Sequence, residues 1–386
     1  MGRINVGIIG AGMFGGTVVK AGAELGIPGI VMNASKDDID ALCLEGYDNV
    51  SSFVVGDGKG TGKSRDIAKE FLLDHVSIFE DAKIDELIQG SDLILVAGSA
   101  GGGFGSGVVP TTVDILTELY EKKKLFIPLT VLPDDTEAYT AQRHAESFLR
   151  EVLSQDVPYI MYDNNKFKNL QPAMMFTNVI ETIKRDLKVL RGDYITDEAT
   201  GSNMDERDLL TTESVAGRII IGSVDPYDAD GDVMKAVKAS IDASAHAELE
   251  DDKIVLASAT MYNLSEDVLA SYGSKIKPDV QNIFGDHITN YSNESTYVGI
   301  GNQFVSIILS GCSAPNKRIN QIVDLRKKKE NIISSRKPSV SKLMSEADTG
   351  SGLKLGVKSF GGTPTNTATN QRPSVSDIVK KIKESN

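Results

Sequence analysis

Short apolar runs alternate with helical stripes along the first half of the chain. Ile4–Ile9, Gly29–Met32, Ser91–Ala97, Leu125–Leu132 and Tyr159–Tyr162 each predict a buried strand. Thr17–Leu25, Arg65–Phe71, a segment opening with Val108–Leu116 and one ending at Leu153 predict the intervening helices. Such alternation predicts a mostly parallel sheet covered on both faces, with ligand sites at the carboxyl ends of its strands. Pro172 to Arg191 predicts the longest helix, with Pro172 suited to its first turn and Gly192 to its stop. Phe176, Ile180, Ile183, Leu187 and Leu190 make one apolar stripe along it. Beyond it, strands are predicted at Gly217–Ser223, Ile254–Thr260, Tyr297–Gly301 and Phe304–Gly311, with helices at Asp232–Ala247 and Ser265–Lys275. The expectation is an α/β protein: a Rossmann-like parallel-sheet domain over 1–171, a long central helix over 172–192 and a smaller C-terminal α+β domain over 193–312. A basic helix over 313–344 and a disordered tail over 345–386 complete it.

The glycines decide where chemistry belongs. Gly98-Ser99-Ala100-Gly101-Gly102-Gly103-Phe104-Gly105-Ser106-Gly107 lies between a strand and a helix. Backbone N–H groups of such a turn, together with the helix N-terminus, hold a phosphate without a lysine. Ser106 can add a hydroxyl. Gly10-Ala11-Gly12-Met13-Phe14-Gly15-Gly16 is a second turn of this kind, and Gly10, Gly12 and Gly15 match G-x-G-x-x-G. The dinucleotide reading of that motif needs an acid closing the next strand, where Asn33-Ala34-Ser35 stands instead. Gly56 to Ser64 ends like a P-loop, but Asp57 occupies the position that needs glycine. A turn placing Lys59 and Lys63 beside a nucleotide and a plain surface loop both remain open for it.

Further along, Asn164 sits in a turn after a strand. Met174 and Asn178 share a helix face where one could lie against a ring and the other bond its edge. Asp205 and Asp208 at i and i+3 could polarise a water, or could simply cap a helix. Cys43 and Cys312 are too few for a disulfide framework, and His75, His144, His246 and His287 lack ligand spacing. With no signal peptide and no long apolar run, the expectation is a cytoplasmic protein without a membrane segment.

The net charge of −13 is unevenly spread. From Ser313 onward there are 15 Lys/Arg against 6 Asp/Glu, so an acidic body carries a basic tail. The tail ends in Ser374–Lys383 with Ile378, Val379 and Ile382 on one side, which predicts a partner-binding peptide that orders on contact.

Taken together, two motifs resemble the tubulin/FtsZ family. Gly101–Gly107 is similar to its G-G-G-T-G-[ST]-G loop, and Gly201-Ser202-Asn203-Met204-Asp205-Glu206-Arg207-Asp208 to the FtsZ catalytic loop N-x-D-x-x-D. The resemblance covers roughly Ile4 to Gly311 and implies GTP and GDP as ligands, with Mg2+ held by the nucleotide rather than by side chains. It implies a phosphate site from Gly10, Ala11, Gly12, Met13 and Gly16, from Lys59 and Gly60, and from Ala100, Gly101, Gly102, Gly103, Phe104, Gly105 and Ser106. Glu137 would take the ribose, Asn164 and Asn178 the guanine edge, and Met174 would lie beside the ring where the family usually has an aromatic. Asn203, Asp205 and Asp208 would act on the GTP of the next subunit in a head-to-tail filament, so that hydrolysis follows assembly. Three departures stand out: Phe104 for Thr, Gly16 where FtsZ commonly has Asn, and Ala141 for an FtsZ arginine. The glycine-rich lysine loop, Leu132–Ala138 and the basic tail look more like TubZ and PhuZ of plasmids and phages. That implies DNA segregation or positioning through a DNA-bound adaptor; the alternatives are an FtsZ-type division protein and a GTP-binding structural polymer with weak hydrolysis.

Overall fold

A computed structural model describes residues 4–121, 123–195, 204–228, 232–249, 254–285, 291–298, 302–335 and 374–385. The first half runs β1 (Val6–Ala11), α1 (Gly12–Ala23), β2 (Gly29–Asn33), α2 (Lys36–Asp40), β3 (Val50–Val54), α3 (Arg65–Asp74), α4 (Ala82–Gln89), β4 (Leu93–Ser99), α5 (Phe104–Leu119), β5 (Leu125–Leu132), α6 (Tyr139–Val152) and β6 (Pro158–Asp163). The central helix α7 (Pro172–Leu190) leads to α8 (Glu206–Glu213), β7 (Gly217–Val224), α9 (Val233–Ala243), β8 (Ala257–Leu264), α10 (Glu266–Phe284), β9 (Tyr291–Val298), β10 (Phe304–Cys312), α11 (Asn316–Ser335) and α12 (Val375–Ser385).

All strands join one sheet in the order β3-β2-β1-β4-β5-β6-β7-β10-β8-β9. It is parallel from β3 to β7, and β10 then runs antiparallel to both β7 and β8. The short parallel pairing of Pro158–Ile160 with Gly217–Ile219 carries the sheet unbroken from the N-terminal half into the C-terminal half. Alternation within the central strands separates two cores. Ile8, Leu95, Ile127 and Ile160 face α1 and α7, while Ile9, Ile94, Val96 and Phe126 face α3, α5 and α6. A third core holds α9 and α10 against the β7-β10-β8 face.

The sheet edges escaped the apolar pattern. Ser51 and Ser52 interrupt the apolar residues of Val50–Val54, and Tyr291–Val298 is mostly polar, because an outermost strand has less apolar cover to meet. The strand expected at Tyr297–Gly301 accordingly begins earlier, at Tyr291.

The central helix is fixed by a buried polar lock. Asp186 accepts from Tyr162 on β6 at 3.0 Å, pairs with His246 at 2.8 Å and is forked by its neighbour Arg185. Burial alone would raise the pKa of Asp186, but Arg185 and His246 outweigh it and hold the carboxyl ionised.

Two tail expectations change. The basic helix α11 lies along α6 and spends Arg318, Arg326 and Lys329 on acidic or carbonyl partners of the body. The terminal helix α12 buries Ile378, Val379 and Ile382 against the core around α5, and its Lys383 pairs with Glu121 at 3.0 Å. Its apolar side is therefore taken up by the chain's own body, while the stretch expected to be disordered lies mostly outside the described residues. Among the described residues no helix is long and apolar enough to cross a membrane.

Candidate functional site

Two helix starts meet at one cavity. Six helices, α2, α3, α4, α8, α9 and α10, have their first N–H groups capped by Ser35, Ser64, Asp81, Asp205, Asp232 and Ser265. The starts of α6 after Ala138, α7 after Gln171, α1 after Ala11 and α5 after Gly103 have no side-chain cap, and the last two open on the same space. Uncapped N–H groups at a helix start make an anion site. Both starts line a cavity of about 520 Å³. The β2–α2 turn (Asn33, Ser35, Asp38) and the loop Lys59–Lys63 complete its wall, together with Phe176.

Close backbone approach explains the glycines. A methyl group on Gly105 would stand 2.9 Å from the Ala11 carbonyl oxygen and 3.0 Å from the Ser99 amide nitrogen, so only glycine lets the two turns lie back to back. A methyl on Gly103 would stand 2.7 Å from the Lys63 Cα, which places the lysine loop directly over the glycine loop. The helix opens at Phe104, four residues before the predicted Val108, so the last glycines of the motif belong to its first turn.

Of the expected phosphate residues, Ala11, Gly12, Met13, Lys59, Gly60, Gly102, Gly103, Phe104 and Gly105 line the cavity. The others stand behind it. Gly10 lies where β1 crosses α1, and a methyl there would meet the Gly15 carbonyl at 2.2 Å. Gly16 faces Leu42 and Val31 in the core. Gly101 lies beside Ala141, and Ala100 is buried in the core. The Ser106 hydroxyl is wholly buried and donates to the Gly102 and Gly103 carbonyls, bracing the loop rather than facing the cavity. Phe104 is also mostly buried, its ring in the core.

Supports that the sequence did not suggest come from α3 and α6. Arg65 donates to the Ser106 carbonyl at 2.9 Å and forks Glu151. His144 bonds the Gly102 carbonyl through Nδ1 at 3.1 Å, and burial pushes its pKa down, so the ring is neutral and Nδ1 carries the proton. Both residues sit on helix faces whose partner is known only once the sheet is assembled.

Further along the strand edge, Glu137 accepts from the Asp134 N–H at 3.1 Å and is bonded by Asn164; burial raises its pKa. On α7, Asn178 donates to the Met174 carbonyl at 2.8 Å, and Met174 is 55% exposed. Phe176 was expected in the buried stripe, yet it is 41% exposed on the cavity wall, and the packed stripe of α7 starts at Val179 and Ile180. Asp205 and Asp208 form a reciprocal capping box: Asp205 accepts from the Asp208 N–H at 2.9 Å, and Asp208 accepts from the Asp205 N–H at 3.2 Å. Neither lines the cavity of its own chain. Asn203 lies outside the described residues.

The GTPase domain of the tubulin/FtsZ family matches residues 30–172. The chain is thus similar to the tubulin/FtsZ superfamily in the sequence of this segment and in its fold. It is 25% identical over 333 residues to the cell division protein FtsZ of Mycoplasmopsis pulmonis, covering 81% of this chain and 78% of that one. The fold is that of Clostridium botulinum phage c-st TubZ, with a TM-score of 0.63 and 18% identity over 84% of this chain and 97% of that one. The GTPγS-bound protofilament of CetZ2 from Haloferax volcanii gives a TM-score of 0.66 at 18% identity, covering 87% and 100%.

Proposed function

We propose that this tubulin/FtsZ-like GTPase polymerises head to tail, and that each subunit's GTP is hydrolysed only when the next subunit brings up Asp205 and Asp208. The observation that carries the proposal is the contrast between two helix starts: α5 offers unspent donors to an anion, while α8 opens on two carboxylates outside its own cavity. In this reading the phosphates lie over Gly12, Met13 and Gly102–Gly105, with Lys59 and Lys63 above them. Glu137 holds the ribose, Asn164 and Asn178 read the guanine, and Phe176 supplies the aromatic face that Met174 lacks. Among the described residues no group of three or more His, Cys, Asp or Glu is placed to hold a metal. In this reading Mg2+ would be held by the phosphates of the bound nucleotide and would supply charge neutralisation there. Asp205 and Asp208 orient the attacking water. A head-to-tail contact that does not close on itself gives a filament, and the CetZ2 relative is solved as a protofilament.

The finer role we propose is plasmid or phage DNA segregation or positioning, in the cytoplasm of a bacterial host, through a DNA-bound adaptor. It is supported by the TubZ fold and by residues 336–373, which hold six Lys/Arg against two Asp/Glu. The FtsZ relatives favour a division role as the second reading. Cosedimentation decides between them. Full-length filaments that carry a small DNA-binding protein encoded beside the gene, and lose it when 336–386 is removed, support the first. Filaments that instead require a membrane adaptor support the second.

A further inference from the structure

The basic helix α11 reaches into the nucleotide half of the molecule at one residue. Arg318, in its first turn, is only 6% exposed, and its guanidinium touches two separate strand-end loops. Nη1 donates to Asp135 Oδ1 at 2.6 Å and Nη2 to the Pro133 carbonyl, both in the loop that follows β5 and leads to Glu137. Nε stands 2.9 Å from Asp163 Oδ2, at the end of β6 and directly before Asn164. Lys329, three turns further along α11, donates to the Asp135 carbonyl at 3.1 Å and to the Glu137 carbonyl. Glu137 and Asn164 are themselves hydrogen-bonded.

A planar guanidinium that hydrogen-bonds one loop through both Nη atoms and pairs by charge with Asp163 of the other can hold the two at a fixed separation, which an ammonium on a flexible stem cannot do. We infer that Arg318 is a positioning residue for the ribose and base half of the site, tying the two loops that carry Glu137 and Asn164 to the C-terminal helix. The phosphate half is built on α1 and α5, which Arg318 does not touch. The C-terminal segment thereby acts on sugar recognition, and through it the tail has a route to the nucleotide. This inference rests on the proposed GTP site.

The test compares GTP with 2′,3′-dideoxy-GTP, which lacks the hydroxyls that Glu137 would accept. Hydrogen bonds to a charged group are strong enough for wild-type protein to prefer GTP by about tenfold. Arg318→Ala is expected to bring that ratio close to one, with affinity for inorganic tripolyphosphate kept within about twofold. Arg318→Lys is expected to fall between and serves as the folded comparison if the alanine variant is unstable. Arg326→Ala, on the same helix as Arg318 but paired with Glu146 of α6, is expected to keep the wild-type ratio. An Arg318 variant that weakens both nucleotides equally, or leaves the ratio unchanged, overturns the inference while the GTP site stands. Wild-type protein that binds the two nucleotides equally also overturns it. Wild-type protein that binds no guanine nucleotide overturns the site itself.

Discussion

Two helix starts, α5 and α8, use the same four unsatisfied N–H groups in opposite ways. At α5 the chain presents glycines and no cap, so the donors remain for an outside anion. At α8, Asp205 and Asp208 cap one another's backbone, so the donors are spent and the end is acidic. A helix start that lacks its cap costs stability, and at α1 and α5, unlike the uncapped α6 and α7, two such starts face one cavity. The difference fits the proposed reading, in which the uncapped start is a receptor and the capped one a reagent. In the proposed filament they meet across a subunit boundary.

The comparison can be broken most severely at the receptor. Gly105→Val pushes a side chain into the Ala11 carbonyl and the Ser99 amide. It is expected to abolish GTP binding in a fluorescence titration and to destabilise the fold by about 3 kcal/mol through overpacking. At the reagent, Asp205→Ser keeps an oxygen that can cap α8. Its thermal midpoint should stay within a few degrees of wild type while phosphate release in the polymer falls by about 100-fold or more. A variant that loses both together would make Asp205 a cap and nothing else.

His144→Ala sharpens the comparison by removing the bond to the Gly102 carbonyl. It is expected to weaken GTP binding by about tenfold, which corresponds to one hydrogen bond in the supporting frame. Burial depresses both His144 and His246. Their folded forms thus resist protonation, and the stability they permit is present above the ordinary imidazole range and lost as pH falls below about 6.5.

The smallest effect lies at the far end of α8. Glu213 is wholly buried, neither carboxyl oxygen has a hydrogen-bond partner among the described residues, and burial raises its pKa well above the ordinary value. The folded state therefore requires a proton there. Its contribution is present below the ordinary glutamate pKa and is lost as pH rises toward the folded value. Glu213→Gln should raise stability by about 1–3 kcal/mol at pH 8, with the gap closing near pH 4, as read by urea unfolding at the two pH values.

The receptor was legible in the sequence because glycines between a strand and a helix have few other uses. Its outline was blurred where the backbone could not be anticipated: α5 starts at Phe104 rather than Val108, and Gly10 and Gly16 serve packing rather than the cavity wall. Periodicity placed Phe176 in the stripe of α7, but the N-terminal end of that helix projects beyond the core and leaves the ring on the cavity wall. His144, Arg65 and Arg318 were invisible as site residues, since each acts across a long sequence separation set by strand order. Asp205 and Asp208 stand out by their spacing, which is also the spacing of a capping box, and the folded chain uses them as one. The tail's basic charge and its helix after residue 313 were legible, but what those elements pack against was not. Much of α11 is consumed by α6, and α12 folds back on α5.

The claim that the active centre is divided between subunits is tested most directly by phosphate release measured against protein concentration with saturating GTP. The account predicts almost no turnover per subunit below a threshold concentration and a steep rise above it, coincident with light scattering. A turnover per subunit that stays constant down to the most dilute, unassembled protein would contradict it.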